Sequence, residues 1–154
     1  WLKSAENGNA GAMNAVGACY SHGEGVTQDK TKAFKWFLKS AENGNAKGMF
    51  NVGVCYDNGK GVTQDKTKAF EWWLKSAENG NAGAMNAVGA CYSHGEGVTQ
   101  DKTKAFEWFL KSANNGCVDA MKTVGSWFEN GIGVKQDSAE AAKWKKKAES
   151  AKNA

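Results

Sequence analysis

The chain repeats itself every 36 residues, and this period restricts its possible folds more than any other feature. Tryptophan recurs with this spacing at Trp36, Trp72, Trp108 and Trp144. Methionine recurs in the same way at Met13, Met49, Met85 and Met121. Because one pair of short helices cannot bury both of its faces, consecutive repeats must stack and share a core. The period therefore predicts a stacked repeat array.

The period divides one predicted domain, residues 1–154, into four repeats: 9–44, 45–80, 81–116 and 117–152. Residues 1–8 match residues 73–80 and correspond to the tail of a preceding second helix. We expect Trp1 and Leu2 to be exposed unless further repeats precede them. At the other end, the lysine-rich run 143–147 predicts a polar capping helix. This organisation is typical of the C-terminal end of a longer array, or of a chain cut to four repeats.

Each repeat is predicted to form two helices joined by a glycine-rich loop. The first helix should run from about Ala10 to Ser21, because its apolar residues recur at helical spacing. Asn9 is a suitable N-cap for it, and Gly23 suits the left-handed position that follows its end. Asp29 is the expected N-cap of the second helix, which should stop at the next Asn-Gly pair.

Two of the repeats are nearly identical. Residues 1–36 and 73–108 differ at a single position, which is Lys35 in the first segment and Glu107 in the second. Natural repeats usually diverge further. The identity therefore indicates either a recent duplication or an engineered, consensus-like sequence, and the residues leave both open.

A longer motif runs through each repeat. In the first repeat it consists of Val16-Gly17, Tyr20, Gly23-x-Gly25-Val26, Asp29, Lys32-Ala33, Trp36 and Ala41 to Gly44. It recurs at 52–80, 88–116 and 124–148. This pattern resembles the Sel1-like repeat, a relative of the tetratricopeptide repeat. The resemblance implies an all-α fold, an α/α solenoid wound as a right-handed superhelix of four 36-residue Sel1-like repeats. It also implies an adaptor role, as known for the family in signalling, secretion, membrane-protein quality control and host–microbe contact.

The resemblance further implies that the first helices line a concave face that binds a peptide or protein segment. The predicted contact residues on that face are Asn14, His22, Lys47, Phe50, Asp57, Asn86, His94, Lys122 and Glu129. Asparagine amides can pair with both polar groups of a peptide backbone, and the lysines can hold an acidic group. Phe50 stands out because its counterparts in the other repeats are polar. It is either an exposed anchor for a partner or a residue packed on a Trp or Met of a neighbouring repeat.

The cysteines are expected to be small buried hydrophobic residues rather than bridging or metal-binding ones. Equivalent positions of stacked helix pairs lie roughly 9–10 Å apart, whereas a disulfide needs α-carbons within about 7 Å. Some secreted members of the family pair two cysteines within each repeat, and this chain lacks that pairing. Cys19 with His22, and Cys91 with His94, supply only two zinc ligands each, whereas structural zinc needs four. No metal site is predicted, although a metal shared across a dimer contact stays open.

Composition narrows the classes of partner. All 20 basic residues are lysine, and the absence of arginine argues against specific nucleic-acid recognition. No apolar run is long enough for a transmembrane segment. The lysine run 143–147 is either a solvated helix face or a patch for acidic partners or anionic lipid. Unpaired cysteines favour the cytoplasm, but a secreted or periplasmic location stays open because the chain begins without methionine.

No catalytic motif is present, since S-x-x-K, G-x-S-x-G, a P-loop and H-E-x-x-H are all missing. The sequence therefore predicts no enzyme and no cofactor. It predicts a protein–protein interaction scaffold whose partner is a protein or peptide. The alternatives are an assembly that self-associates, as a homo-oligomer joined through open repeat ends, or an engineered consensus-like scaffold with no natural ligand.

Overall fold

A computed structural model describes residues 1–153, and within them it contains nine α-helices and no strand. In chain order they are α1 Leu2–Glu6, α2 Ala10–His22, α3 Lys30–Glu42, α4 Ala46–Asn58, α5 Lys66–Glu78, α6 Ala82–His94, α7 Lys102–Asn114, α8 Val118–Asn130 and α9 Ser138–Lys152. The predicted all-α class and the two helices per repeat are confirmed. No helix within the described part of the chain is long and apolar enough to cross a lipid bilayer.

The helices form two compact units. Unit 1 runs from Trp1 to Asn81 and contains α1 to α5, and unit 2 begins at Ala82 and contains α6 to α9. The single domain expected for residues 1–154 stays a prediction.

The predicted caps are confirmed. The Asn9 side chain accepts a hydrogen bond of 2.8 Å from the backbone N–H of Ala12, and Gly23 is left-handed with φ of 72°. Asp29 accepts one of 3.0 Å from the N–H of Lys32. Each bond satisfies a backbone donor that a helix start leaves unpaired. The first helix ends one residue later than predicted, and Cys117, the N-cap residue of α8, makes no side-chain capping hydrogen bond.

Two contacts set the spacing within each helical hairpin of unit 1. The ring of Phe37 lies flat against Gly17, where an added Cβ would be only 2.6 Å from it. The hydroxyl of Ser40, which is fully buried, donates a 2.7 Å hydrogen bond to the carbonyl of Ala10. The same serine contact recurs in the next two hairpins, as Ser76 with Ala46 and Ser112 with Ala82, whereas the last hairpin has Ala148 at this position. A helix close enough to touch a glycine and share a buried hydrogen bond fixes the hairpin rigidly.

Each unit has its own apolar core. In unit 1, Phe37, Met49 and Val52 are the largest members of a buried cluster on α3 and α4. In unit 2, a corresponding cluster contains Phe109 and Trp144. The start of unit 1 is less covered, because Trp1 is 80% and Leu2 48% exposed, as the sequence predicts.

Candidate partner-binding surface

In unit 1, an asparagine pair connects two successive first helices. The Nδ2 amide of Asn51 on α4 donates a 2.7 Å hydrogen bond to Oδ1 of Asn14 on α2, and both residues are half-buried. Asn14 was a predicted site residue, whereas sequence reasoning missed Asn51. The sequence did indicate Asn51 in one way: the positions equivalent to it in the other repeats hold Ala15, Ala87 and Thr123, so asparagine occurs at this position only once.

Phe50 packs on a tryptophan, but on one of its own repeat and not of a neighbouring repeat as the second alternative had it. It is half-buried, and its ring centroid lies 6.5 Å from that of Trp73, the tryptophan of the same repeat's second helix. The indole Nε1 of Trp73 also donates a 3.2 Å hydrogen bond to the backbone carbonyl of Phe50. Trp73 stands where α3 and α7 have Phe37 and Phe109, so two departures from the repeat contact each other. Part of the Phe50 ring stays accessible beside them.

The charged candidates of unit 1 differ in their surroundings. Lys47 at the start of α4 is exposed. Asp57 near its end forms a 2.7 Å salt bridge with Lys66 of α5, so its charge is largely compensated within the chain. The structure therefore offers Lys47, rather than Asp57, as the available charge on this helix.

Unit 2 lacks the asparagine pair. Oδ1 of Asn86 on α6 is buried and has no hydrogen-bond partner among residues 1–153. The position that corresponds to Asn51 is Thr123, whose hydroxyl donates instead to the carbonyl of Asp119 in its own helix, at 3.1 Å. Burying an amide oxygen without a donor costs about 1–3 kcal/mol.

The predicted residues of α8 lie against α9. Exposed Lys122 borders a depression of about 370 Å³ whose other lining residues are Lys145, Ala148, Glu149 and Lys152. Glu129 forms a 2.5 Å ion pair with Lys145, so this acid is used within the chain as Asp57 is. The surface around Lys122 is consequently basic.

The two histidines are exposed, and each places Nδ1 3.0 Å from the carbonyl four residues earlier, which is Ala18 for His22 and Ala90 for His94. Within the described residues, no group of three or more His, Cys, Asp or Glu side chains could hold a metal ion. None of the four cysteines forms a disulfide within the described residues. Burial raises the pKa of the Cys55 thiol to about 11, although nearby Lys60 and Lys30 favour the thiolate.

The second helices carry a feature that sequence reasoning missed. A lysine three residues after each repeat tryptophan places its ammonium 4.3–4.7 Å from the indole centroid, in the pairs Lys39 with Trp36, Lys75 with Trp72, Lys111 with Trp108 and Lys147 with Trp144. The spacing of three residues, which aligns side chains on one helix face, was the available signal. In each of the four pairs, the cation–π contact holds the lysine ammonium beside the indole of its own helix.

Comparison with known proteins agrees with this geometry. The family model for the Sel1 repeat matches residues 10–45, 46–81, 82–117 and 118–153, one residue later than the predicted repeat boundaries. Comparison with curated proteins finds no match.

Three solved structures are similar to the chain. One is a protective antigen of uropathogenic Escherichia coli with an SLR fold, 34% identical with a TM-score of 0.92, covering 97% of this chain and 32% of that one. A Sel1 repeat protein from Oxalobacter formigenes is 31% identical with a TM-score of 0.89, covering 94% and 59% respectively. Cysteine-rich protein B of Helicobacter pylori is 28% identical with a TM-score of 0.63, covering 77% and 91%. The chain thus spans less than two thirds of the first two proteins.

Sel1 repeat proteins are generally non-enzymatic α-solenoid modules for protein–protein interaction. Four matched repeats, together with two solved structures more than 30% identical over nearly the whole chain, leave one assignment. The chain belongs to the Sel1 repeat family.

Proposed function

We propose that the chain is a non-catalytic protein-interaction scaffold that holds an extended peptide segment along its first helices. The observation that carries this proposal is the pair Asn14–Asn51. The bond between the two amides uses one oxygen and one N–H, and leaves the Nδ2 of Asn14 and the Oδ1 of Asn51 without a partner in the described chain. An amide donor and an amide acceptor are the groups that can pair with the C=O and N–H of a peptide backbone.

The neighbouring residues supply the remaining contacts. The accessible part of the Phe50 ring offers an apolar surface that Trp73 supports from behind. Lys47 lies one helical turn before Phe50 and can hold an acidic side chain of the peptide. Rigid aromatic residues of this kind contribute strongly to binding because little conformational entropy is lost on contact.

The test begins with peptides selected from a random library on the immobilised chain, followed by affinity measurements with variants. Asn51→Ala should weaken binding about 5- to 10-fold, the effect of losing one or two peptide hydrogen bonds. This substitution is compatible with the fold, because the equivalent positions already hold Ala15 and Ala87. Thr67→Ala on the exposed start of α5 is the control and should change nothing. Unchanged affinity in both Asn51→Ala and Phe50→Ala would contradict the proposal.

Self-association is a second candidate, favoured by the exposure of Trp1, Leu2 and Val26. Sedimentation analysis over a range of concentrations tests this candidate, and a monomer mass at every concentration would dismiss it.

A further inference from the structure

The single difference between segments 1–36 and 73–108 lies on the exposed face of α3. Lys35, whose counterpart on α7 is Glu107, borders a depression of about 320 Å³. The depression is lined by Lys32, Lys35, Trp36, Leu38, Lys39 and Glu42. The change at position 35 therefore reverses a charge at this surface. A second change lies just beyond the two segments, because Glu42 of the lining corresponds to Asn114 on α7.

The lysines around the depression are positioned by aromatic rings. The ammonium of Lys39 lies 4.7 Å from the Trp36 ring centroid, and that of Lys32 lies 5.6 Å from the Tyr20 ring centroid. None of the three lysines forms an ion pair with a carboxylate of the described chain. The result is a site with three lysines and one carboxylate, that of Glu42, beside half-buried Trp36 and Leu38.

The same framework exists on α7 without the third charge. Lys111 lies 4.4 Å from the Trp108 ring centroid and Lys104 lies 5.7 Å from that of Tyr92. Glu107 occupies the central position between these two lysines. The two helices thus form a natural comparison that differs at two residues, Lys35 against Glu107 and Glu42 against Asn114.

We propose that the α3 lysine site, defined as Lys32, Lys35 and Lys39 around Trp36, binds an acidic polypeptide segment. Two carboxylates of the segment pair with the lysines, and an apolar side chain between them rests on Trp36 and Leu38. Lysine pairs with carboxylates as a compact point charge, whereas phosphate and base recognition favours the planar fork of arginine, which this chain lacks. Three charges are also fewer than the four to eight that typically bind anionic membranes. This surface is separate from the first-helix peptide site, so either proposal can fail alone.

The fourth repeat offers a related surface in unit 2. Lys143, Lys146 and Lys147 surround a depression of about 490 Å³ floored by Met121. Lys143 is partly compensated by Glu140, at 3.2 Å. We expect the same acidic segment to bind there as well, so the experiment must resolve the sites individually.

The test uses the whole chain, a synthetic peptide with leucine flanked by glutamates, and zero-length carbodiimide crosslinking mapped by mass spectrometry. Lys35→Glu should reduce crosslinks to Lys32 and Lys39 about 5- to 10-fold, since one attraction becomes a repulsion. Folding should be unaffected, because the variant reproduces a sequence that the chain already contains at 73–108. The double swap Lys35→Glu/Glu107→Lys keeps the net charge at +4 and should move the crosslinks to Lys104 and Lys111.

Crosslinks that stay on α3 in the double swap would overturn the proposal, as would crosslinks spread evenly over all exposed lysines. Phosphatidylserine vesicles serve as the other arm. Vesicle binding that Lys35→Glu abolishes, together with no measurable peptide binding, would replace the acidic polypeptide with a lipid surface and would also overturn the proposal.

Discussion

Within unit 2, α7 and α9 hold equivalent places in their repeats but cover a glycine in different ways. The flat ring of Phe109 covers Gly89, and it stacks edge-on against Trp127 with ring centroids 5.2 Å apart. In the next repeat the aliphatic stem of Lys145 covers Gly125, and its ammonium pairs with Glu129. The close approach of the two helices at the glycine leaves room only for a slender side chain on the facing helix, and either an aromatic ring or a lysine stem fits there. Only the aromatic ring adds to the core.

The largest expected difference between these helices comes from truncating the two covering side chains. Phe109→Ala removes a 5% exposed ring and should lower the free energy of unfolding by about 3–5 kcal/mol. Lys145→Ala removes only an exposed ion pair and stem contacts, and should cost about 0–1 kcal/mol. Urea unfolding followed by circular dichroism measures both. Equal losses of unfolding free energy would show that Lys145 is packed as Phe109 is, and would contradict the difference between α7 and α9.

The second prediction concerns a methyl group added at Gly89 or at Gly125, the two glycines that Phe109 and Lys145 cover. A Cβ at Gly89 would lie 2.7 Å from the Phe109 ring, so Gly89→Ala should destabilise the chain by about 1–2 kcal/mol after the gain in helix propensity. At Gly125 the nearest atom would be Cγ of Lys145, at 3.1 Å, and this flexible stem can move aside. Gly125→Ala should therefore be neutral or slightly stabilising. Thermal unfolding measures both variants, and we expect a lower Tm for Gly89→Ala than for Gly125→Ala.

The asparagine contacts give a third prediction. Thr123→Asn in unit 2 recreates the arrangement of Asn51 and supplies a donor to the unsatisfied Oδ1 of Asn86. The chain should become more stable by about 1 kcal/mol, equivalent to about 2–4 °C in Tm. Thr123→Ala is the control, and a gain of the same size there would attribute the effect to helix propensity alone.

The smallest expected effect concerns the thiols. Cys19 and Cys117 are half-buried, whereas Cys55 and Cys91 are buried. A thiol reagent at a pH of about 7.5–8 should therefore label Cys19 and Cys117 faster than the other two. Burial holds the pKa of Cys55 at about 11, above its ordinary 9.0. The neutral thiol is preferred by the fold, so its contribution to stability is full below pH 9 and declines as the pH rises towards 11. Mass spectrometry of time-quenched samples resolves the order, and faster labelling of Cys55 than of Cys19 would contradict the burial.

Local features of the repeat were predictable from sequence because they depend on neighbouring residues. Asn9, Gly23 and Asp29 act within a few positions of their own helix, and their roles follow from capping rules alone. The exposure of Trp1 was likewise predictable from register.

The contacts that the sequence did not reveal join helices far apart in the chain. Asn14 and Asn51 are 37 positions apart, and no pattern within one repeat pairs them. The contact between Phe50 and Trp73 was not predicted, because the packing offered for Phe50 was on a neighbouring repeat and the observed contact joins α4 to α5 of one repeat. Lys145 was predicted as part of a polar cap, but its stem over Gly125 required the packed structure.

The central claim is that the first helices of unit 1 hold a peptide across Asn14 and Asn51. The most direct measurement is the set of backbone amide shifts of the chain, recorded by NMR as a library-selected peptide is added. We expect the largest shifts to fall on α2 and α4 around Asn14, Phe50 and Asn51. We also expect Asn51→Ala to reduce both these shifts and the affinity for the peptide. Shifts confined to other helices, with an affinity that Asn51→Ala leaves unchanged, would contradict this claim.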